Sequence, residues 1–267
     1  MGKGADPDVG RIIMKKFYKS FSVAGFGLLR QRHLEQLEKI EADAIGLLRE
    51  LAVRHGASIS NIKSQLGQDL FALFQLGWKR NGFFVEFGAT DGVLLSNTYL
   101  LEKDFGWTGI LSEPAKVWHN DLQQNRTASL DFDCVWVETG KEMQFSVVED
   151  AELSTLKDYV GSDSHSASRK AALTDTVRTV SLCDLLERHN APKSIDYLSV
   201  DTEGSEYEIL RAFDFQRYTV SVITCEHNFM PNREKVHALL VSNGFVRVYE
   251  GLSRWDDWYI NTQHFNG

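Results

Sequence analysis

Short β-prone runs recur along this chain with helical patterns between them, and that alternation narrows the fold more than any other feature. Phe83 to Phe87 (FFVEF), Gly109 to Ser112 (GILS), Phe132 to Val137 (FDCVWV), Ile195 to Val200 (IDYLSV) and Val220 to Cys225 (VSVITC) read as strands. Helical spacing appears at about 96–103, 116–124, 181–188, 206–212 and 233–243. Such alternation specifies an α/β fold built on a doubly wound, mostly parallel sheet with helices on both faces. Phe245 to Tyr249 and Trp258 to Asn261 predict two final strands at a sheet edge.

Ahead of this region, Leu28 to His55 is rich in Leu, Glu and Arg, with apolar residues at 34, 37, 40, 44, 47, 48 and 51. That spacing predicts a helix stopped by Gly56. The expected organisation is an N-terminal helical extension over 1–60 and one domain over 61–267. The simpler reading of the helix is a cap on the domain; the alternative is pairing with a second copy, a homodimer. The heptad pattern is short for the second use. Phe21 to Leu29 follows Arg11, Lys15, Lys16 and Lys19, in the manner of a signal peptide, but no small-residue cleavage site comes after it. It is expected to pack on the body, with peripheral membrane contact as the alternative. No run approaches the roughly 20 apolar residues of a membrane span.

Lys and Arg total 29 against 37 Asp and Glu, a net charge of −8, which argues against nucleic acid as a partner. The three cysteines, Cys134, Cys183 and Cys225, lie far apart without CxxC pairing and fit a reducing, cytoplasmic location. Between the third and fourth predicted strands, Gln144 to Val148 reads as an extra strand. Glu149 to Asp175 then runs polar and serine-rich around His165, and a loop of that length points to a substrate lid or a wall of the site. No G-x-S-x-G elbow and no zinc-spaced Cys and His set occurs.

The first strand runs into Glu86-Phe87-Gly88-Ala89-Thr90-Asp91-Gly92. A strand followed by a glycine turn is how a doubly wound sheet brings its backbone close to a nucleotide. Glu113 ends the second strand, placed to accept hydrogen bonds from both hydroxyls of a ribose. The loop is Glu86-x-Gly88-x-x-x-Gly92 and lacks the three glycines that pass a pyrophosphate. Asp91 would repel a diphosphate, whereas a cationic sulfonium nucleoside tolerates it. Asp201 ends the fourth predicted strand and Glu226 the fifth, and neighbouring strands lie about 4.8 Å apart, so both carboxylates should overhang one cleft. Glu203, Glu206 and His227 add to the cluster; the alternative reading is that Glu203, Glu206 and Glu208 complement a helix start, and Glu206 or Glu208 is expected to do little else.

Several blocks in order resemble the FkbM-type S-adenosylmethionine-dependent methyltransferases. They are Ser64-Gln65-x-x-Gln68-Asp69, the loop ending at Gly92, Ser96-Asn97-Thr98 with Leu101-Glu102, Gly106-Trp107-x-Gly109 leading to Glu113-Pro114, Asp196-Tyr197 with Asp201-x-Glu203-Gly204-x-Glu206, and Glu226-His227. Thr90 stands where many methyltransferases place a middle glycine. The resemblance implies a Rossmann-like class I methyltransferase sheet with S-adenosyl-L-methionine across the ends of its first three strands. It implies that Glu86, Gly88, Ala89, Asp91 and Gly92 surround the methionine part, that Ser96 and Asn97 steady it, and that Glu113-Pro114 hold the ribose. Gln68 and Asp69 would reach the amino acid end, or merely cap a helix, and adenine would lie beside Cys134 to Val137.

The expected activity is O-methylation of a hydroxyl on a sugar, glycan or secondary metabolite. Asp201, Glu203, Glu226 and His227 are the candidate catalytic residues. Either one of them takes the hydroxyl proton, or Asp201, Glu226 and His227 hold Mg2+ or Mn2+. Acids at these strand ends are similar to those of catechol methyltransferases, which bind magnesium there. A dinucleotide-dependent oxidoreductase and a noncatalytic module that retains the fold are the alternatives.

Overall fold

A computed structural model describes residue 39 and residues 43–147, 155–156 and 173–265. The segment at 11–32, the first part of the predicted N-terminal helix and most of the 149–175 loop, His165 included, lie outside the described residues.

Seven strands form the main sheet in the order β10-β11-β9-β8-β1-β2-β3. They are β1 (Phe83–Phe87), β2 (Thr108–Ser112), β3 (Ser129–Asp131), β8 (Ser194–Val200), β9 (Thr219–Glu226), β10 (Phe245–Val248) and β11 (Asp256–Asn261). The first five named are mutually parallel, whereas β11 runs antiparallel between β9 and β10. The order reverses on either side of β1, so the carboxyl ends of β1 and β8 form a switch point, the place where such sheets receive ligands. A second sheet, in the order β4-β7-β5-β6, is made of Cys134–Trp136, Leu173–Ser181, Glu142–Val147 and Thr155–Leu156.

Strand alternation sends successive side chains into two cores. Val85, Phe87, Leu198, Val200 and Ile223 pack with Leu185, Leu210 and Leu240 of helices Leu182–Arg188, Glu206–Ala212 and Arg233–Ser242. Phe84, Leu111, Tyr197, Val222 and Trp258 face Leu70 and Phe71 of helix Gln68–Gln75 and Leu101 of helix Tyr99–Phe105. The N-terminal helix is described over 43–54 and ends in a turn at Gly56, as its sequence predicts. It buries Leu48 and Ala52 in that second core and thus caps the domain.

The third strand corrects the sequence reading. Ser129–Asp131 occupies that place beside β2, with Ile110 level with Ser129. The more β-prone Cys134–Trp136 joins the second sheet instead, pairing in parallel with Thr179–Ser181. Its Val135 and Cys134 are buried there, so propensity selected a strand but tertiary packing chose its sheet. Trp136 therefore does not lie at the end of the third strand of the main sheet.

Candidate active site

Strand register aligns the site. Glu86 on β1 is level with Leu111 on β2 and Ser199 on β8, and Ser199 is level with Thr224 on β9. Extending each register by two residues brings Glu113, Gly88, Asp201 and Glu226 into one row at the carboxyl edge. Asp256 on β11 pairs directly with Glu226. Five adjacent strands thus present four carboxylates and one glycine. Gly88 is confined to glycine by φ of +72° and by the Asp201 carbonyl oxygen, which a Cβ would meet at 2.4 Å.

Beneath this row several polar groups pair with one another. The Tyr197 hydroxyl and Thr224 Oγ1 are 2.7 Å apart, and Asn97 Nδ2 donates to Ser199 Oγ at 2.9 Å. Glu86 accepts from the Asn97 amide at 2.7 Å and from the hydroxyls of Ser96 and Thr98. Arg126, its side chain wholly buried, ties the same loop together. It donates to Glu102 at 2.9 Å, the Gly92 carbonyl at 3.0 Å, Ser96 Oγ at 3.2 Å and Thr98 Oγ1 at 2.9 Å, and lies 3.8 Å from Glu86. Burial pushes Glu102 up, but Arg126, the Thr127 amide and Lys103 hold it below its ordinary value. Glu86 and Ser96 accordingly shape the loop through their own hydrogen bonds.

The glycine loop is held open by unusual backbone. Thr90 takes φ of +47°, and its amide donates to Glu113 Oε2 at 2.9 Å. Asp91 Oδ1 accepts the amides of Val93 and Leu94, folding the chain after the loop. At Gly92, φ is +79° and a Cβ would meet Arg126 Cγ at 2.5 Å. Gly88 and Ala89 donate their amides to the Ser112 carbonyl, which locks the loop to β2. Beyond Pro114, the Ala115 amide donates to Glu113 Oε1 at 2.7 Å, so both oxygens of Glu113 are oriented and each retains a lone pair. Burial pushes Glu113 up to about 7, and Asp201 adds to the rise.

Gln68 and Asp69 begin helix Gln68–Gln75 and are buried. Gln68 Nε2 donates to Asp256 at 2.8 Å, which brings it to the acid row. Asp69 accepts from Ser64 and the Leu70 amide through Oδ1, whereas its buried Oδ2 has no hydrogen-bond partner among the described residues.

Carboxylate oxygens of Asp201, Glu203 and Glu226 lie within 4.8 Å of one another, with Glu203 held at φ of +58°. Desolvation raises Asp201 to about 6 despite a hydrogen bond to Glu226, and desolvation together with Asp201 raises Glu226 well above the carboxylate range. Asp256 rises to about 7 for the same reasons. Glu206 accepts the Thr202 and Gly204 amides, fixing the turn between β8 and its helix, while Glu208 pairs with Arg211 at the surface. His227 departs from the expected metal set. Its Nδ1 accepts the Phe229 amide at 2.9 Å and its Nε2 lies 3.8 Å from Asp257, so neither nitrogen joins the Asp201, Glu203 and Glu226 group. Burial lowers its pKa, against the opposing pull of Asp257.

The family model described as the methyltransferase FkbM domain matches residues 86–256, well over half of the chain. The chain belongs to the FkbM methyltransferase family. Among curated proteins none matches it. Two solved structures are similar: a precorrin-6y C5,15-methyltransferase from Geobacter metallireducens and a putative RNA methyltransferase from Pyrococcus horikoshii. The first has 13% identity and a TM-score of 0.39 and covers 76% of this chain and 90% of that one. The second has 14% identity and a TM-score of 0.38 and covers 76% of this chain and 82% of that one. The FkbM match spans the whole acid row from Glu113 to Asp256 and favours a methyltransferase over the oxidoreductase alternative.

Two residues of this FkbM-family site escape a sequence reading. Asp256 is legible only once β11 is known to insert beside β9, and Arg126 looks like an ordinary surface cation after a helix. Replacing Arg126 with Met strands Glu86 and Glu102 as buried charges and is expected to lower stability by about 3–5 kcal/mol in urea unfolding. A loss under about 1 kcal/mol would show that the loop does not depend on it.

A carboxyl raised by folding contributes stability that is complete below its unfolded value and lost as pH rises through its folded value. With Asp201, Asp256 and Glu113 moved from 3.8 or 4.5 to about 6 or 7, melting temperature is expected to fall between about pH 4 and pH 7. Asp256→Asn keeps an acceptor for Gln68 and should flatten that fall. Identical thermal-melt profiles for the two proteins would exclude Asp256 as a source.

Proposed function

We propose that the protein is an S-adenosylmethionine-dependent O-methyltransferase acting on a hydroxyl of a sugar, glycan or other hydroxylated metabolite. The observation that carries this reading is the row of Glu113, Gly88, Asp201, Glu226 and Asp256 along one sheet edge in an FkbM-family chain. The residues fit the cofactor. Gly88 keeps the row open, Glu113 offers two oriented acceptors for ribose hydroxyls, and Asp69 Oδ2 is a buried acceptor suited to an ammonium group. S-adenosylmethionine supplies a methyl group on a cationic sulfur, and a row of acids favours that charge.

In this reading Asp201 and Glu226 handle the proton. A carboxylate with a pKa near 6 is ionised at neutral pH yet basic enough to accept a hydroxyl proton as the oxygen becomes nucleophilic. Glu206, through the Thr202 and Gly204 amides, holds the turn that presents Asp201 and Glu203. Asn97 and Ser199 brace the neighbouring loop from below.

The grouping of the Asp201, Glu203 and Glu226 oxygens favours a second version, in which these three hold Mg2+ or Mn2+. The ion would then lower the pKa of the acceptor hydroxyl and orient it.

Calorimetric titration with S-adenosylhomocysteine and with NAD, each with and without Mg2+, tests the reading. Binding of the first alone is expected, and binding of NAD alone would overturn it. Glu113→Ala should weaken S-adenosylhomocysteine binding by about 1–3 kcal/mol, the loss of a charged acceptor, and unchanged affinity would remove Glu113 from the ribose. Asp201→Asn should cut methyl transfer to hydroxylated sugars while nearly preserving cofactor affinity, and full activity would exclude Asp201 from proton transfer.

A further inference from the structure

Phe229 is the most exposed large apolar side chain among the described residues, at 73%. It stands on the loop that leaves β9 directly after Glu226 and His227, at the edge where an acceptor must approach the acid row. Its backbone is costly. Asn228 and Phe229 take φ of +41° and +58° in succession, a conformation that suits glycine and penalises a bulky side chain by roughly 1–3 kcal/mol per residue.

A dense set of hydrogen bonds sustains it. The amides of His227 and Asn228 both donate to the Trp255 carbonyl, at 2.9 and 3.1 Å, and the Met230 amide donates to the His227 carbonyl at 2.6 Å. The Phe229 amide donates to His227 Nδ1, which places the imidazole proton on Nε2, and the two rings meet edge to face at 5.3 Å. Asn228 Nδ2 reaches Glu203 Oε2 at 3.5 Å, tying this loop to the carboxylate group. Leu94, Leu95 and Val117 are also exposed, on the segments that leave β1 and β2 along the same edge, and Leu95 too is left-handed, at φ of +56°.

Resting on the methyl-transfer reading above, we propose that Phe229 is a specificity-determining residue that packs against an apolar ring of the acceptor next to its reacting hydroxyl, and that His227 is a positioning residue that holds it there. The acceptor is then a hydroxylated molecule carrying an aromatic or similarly flat apolar portion. A bare polyol would leave Phe229 in water.

The test uses the full chain saturated with S-adenosylhomocysteine and two probes, phenyl β-glucoside and glucose, titrated calorimetrically. Phenyl β-glucoside should bind at least about tenfold more tightly than glucose, a modest gain for one aromatic contact. Phe229→Ala, at an exposed position, should abolish the preference with S-adenosylhomocysteine affinity kept within about twofold. His227→Ala should also abolish it although Phe229 is present. His227→Asn, whose side-chain oxygen can accept the amide two residues on, should restore it. Equal or undetectable affinity for the two probes in the native chain, or a preference that survives Phe229→Ala, overturns the proposal. Failure of the native chain to bind S-adenosylhomocysteine instead overturns the methyl-transfer reading, and this proposal with it.

Discussion

A guanidinium with no access to water organises the glycine loop of this protein. Arg126 reaches Glu102, the Gly92 carbonyl, Ser96 and Thr98 and lies close to Glu86, so one side chain joins strand β1, the loop that leaves it and the following helix. A buried charge is tolerable only when its partners saturate it, and each of these partners is itself buried. The ring faces of Phe84 and Tyr99 complete the cage. The cage fixes Gly92, Ser96 and Thr98, while the Thr90 amide on Glu113 and the Gly88 and Ala89 amides on the Ser112 carbonyl hold the first part of the loop.

Across the sheet edge the opposite economy holds. Acids are gathered there, and desolvation together with their mutual repulsion raises the pKa values of Asp201, Glu226 and Asp256. Folding thus spends stability to collect proton-accepting groups at one edge. The strained residues Thr90, Glu203 and Phe229 stand on the loops that leave β1, β8 and β9 along that edge.

Much of this was legible in the order of residues. The run Phe83–Phe87 is a strand as expected, helix Glu206–Ala212 falls on its predicted bounds, and the sheet is doubly wound as the alternation required. Asp201 and Glu226 come together because consecutive strand ends in a parallel sheet must. Less visible were features set by contacts distant in sequence. The run at 132–137 satisfies every local criterion for the third strand, yet Cys134–Trp136 pairs with Leu173–Ser181, a choice that depends on a partner about 45 residues away. His227 lies next to Glu226 in sequence, but alternation along the backbone turns it toward Asp257. Arg126 and Asp256 carry no local motif at all; their meaning comes from which groups the fold places around them.

The position of β11 carries a consequence for how the molecule is made. Asp256 and the hairpin that bears it are inserted beside β9 by residues 245–261, whereas the glycine loop lies near residue 90. On a ribosome the glycine loop and Arg126 can form their hydrogen bonds before the flank of β9 is covered. From the synthesis of Thr219–Glu226 until residues 245–261 follow, β9 has an uncovered edge, the kind of surface on which nascent chains mispair. Completion of the sheet therefore hinges on timely arrival of the antiparallel hairpin.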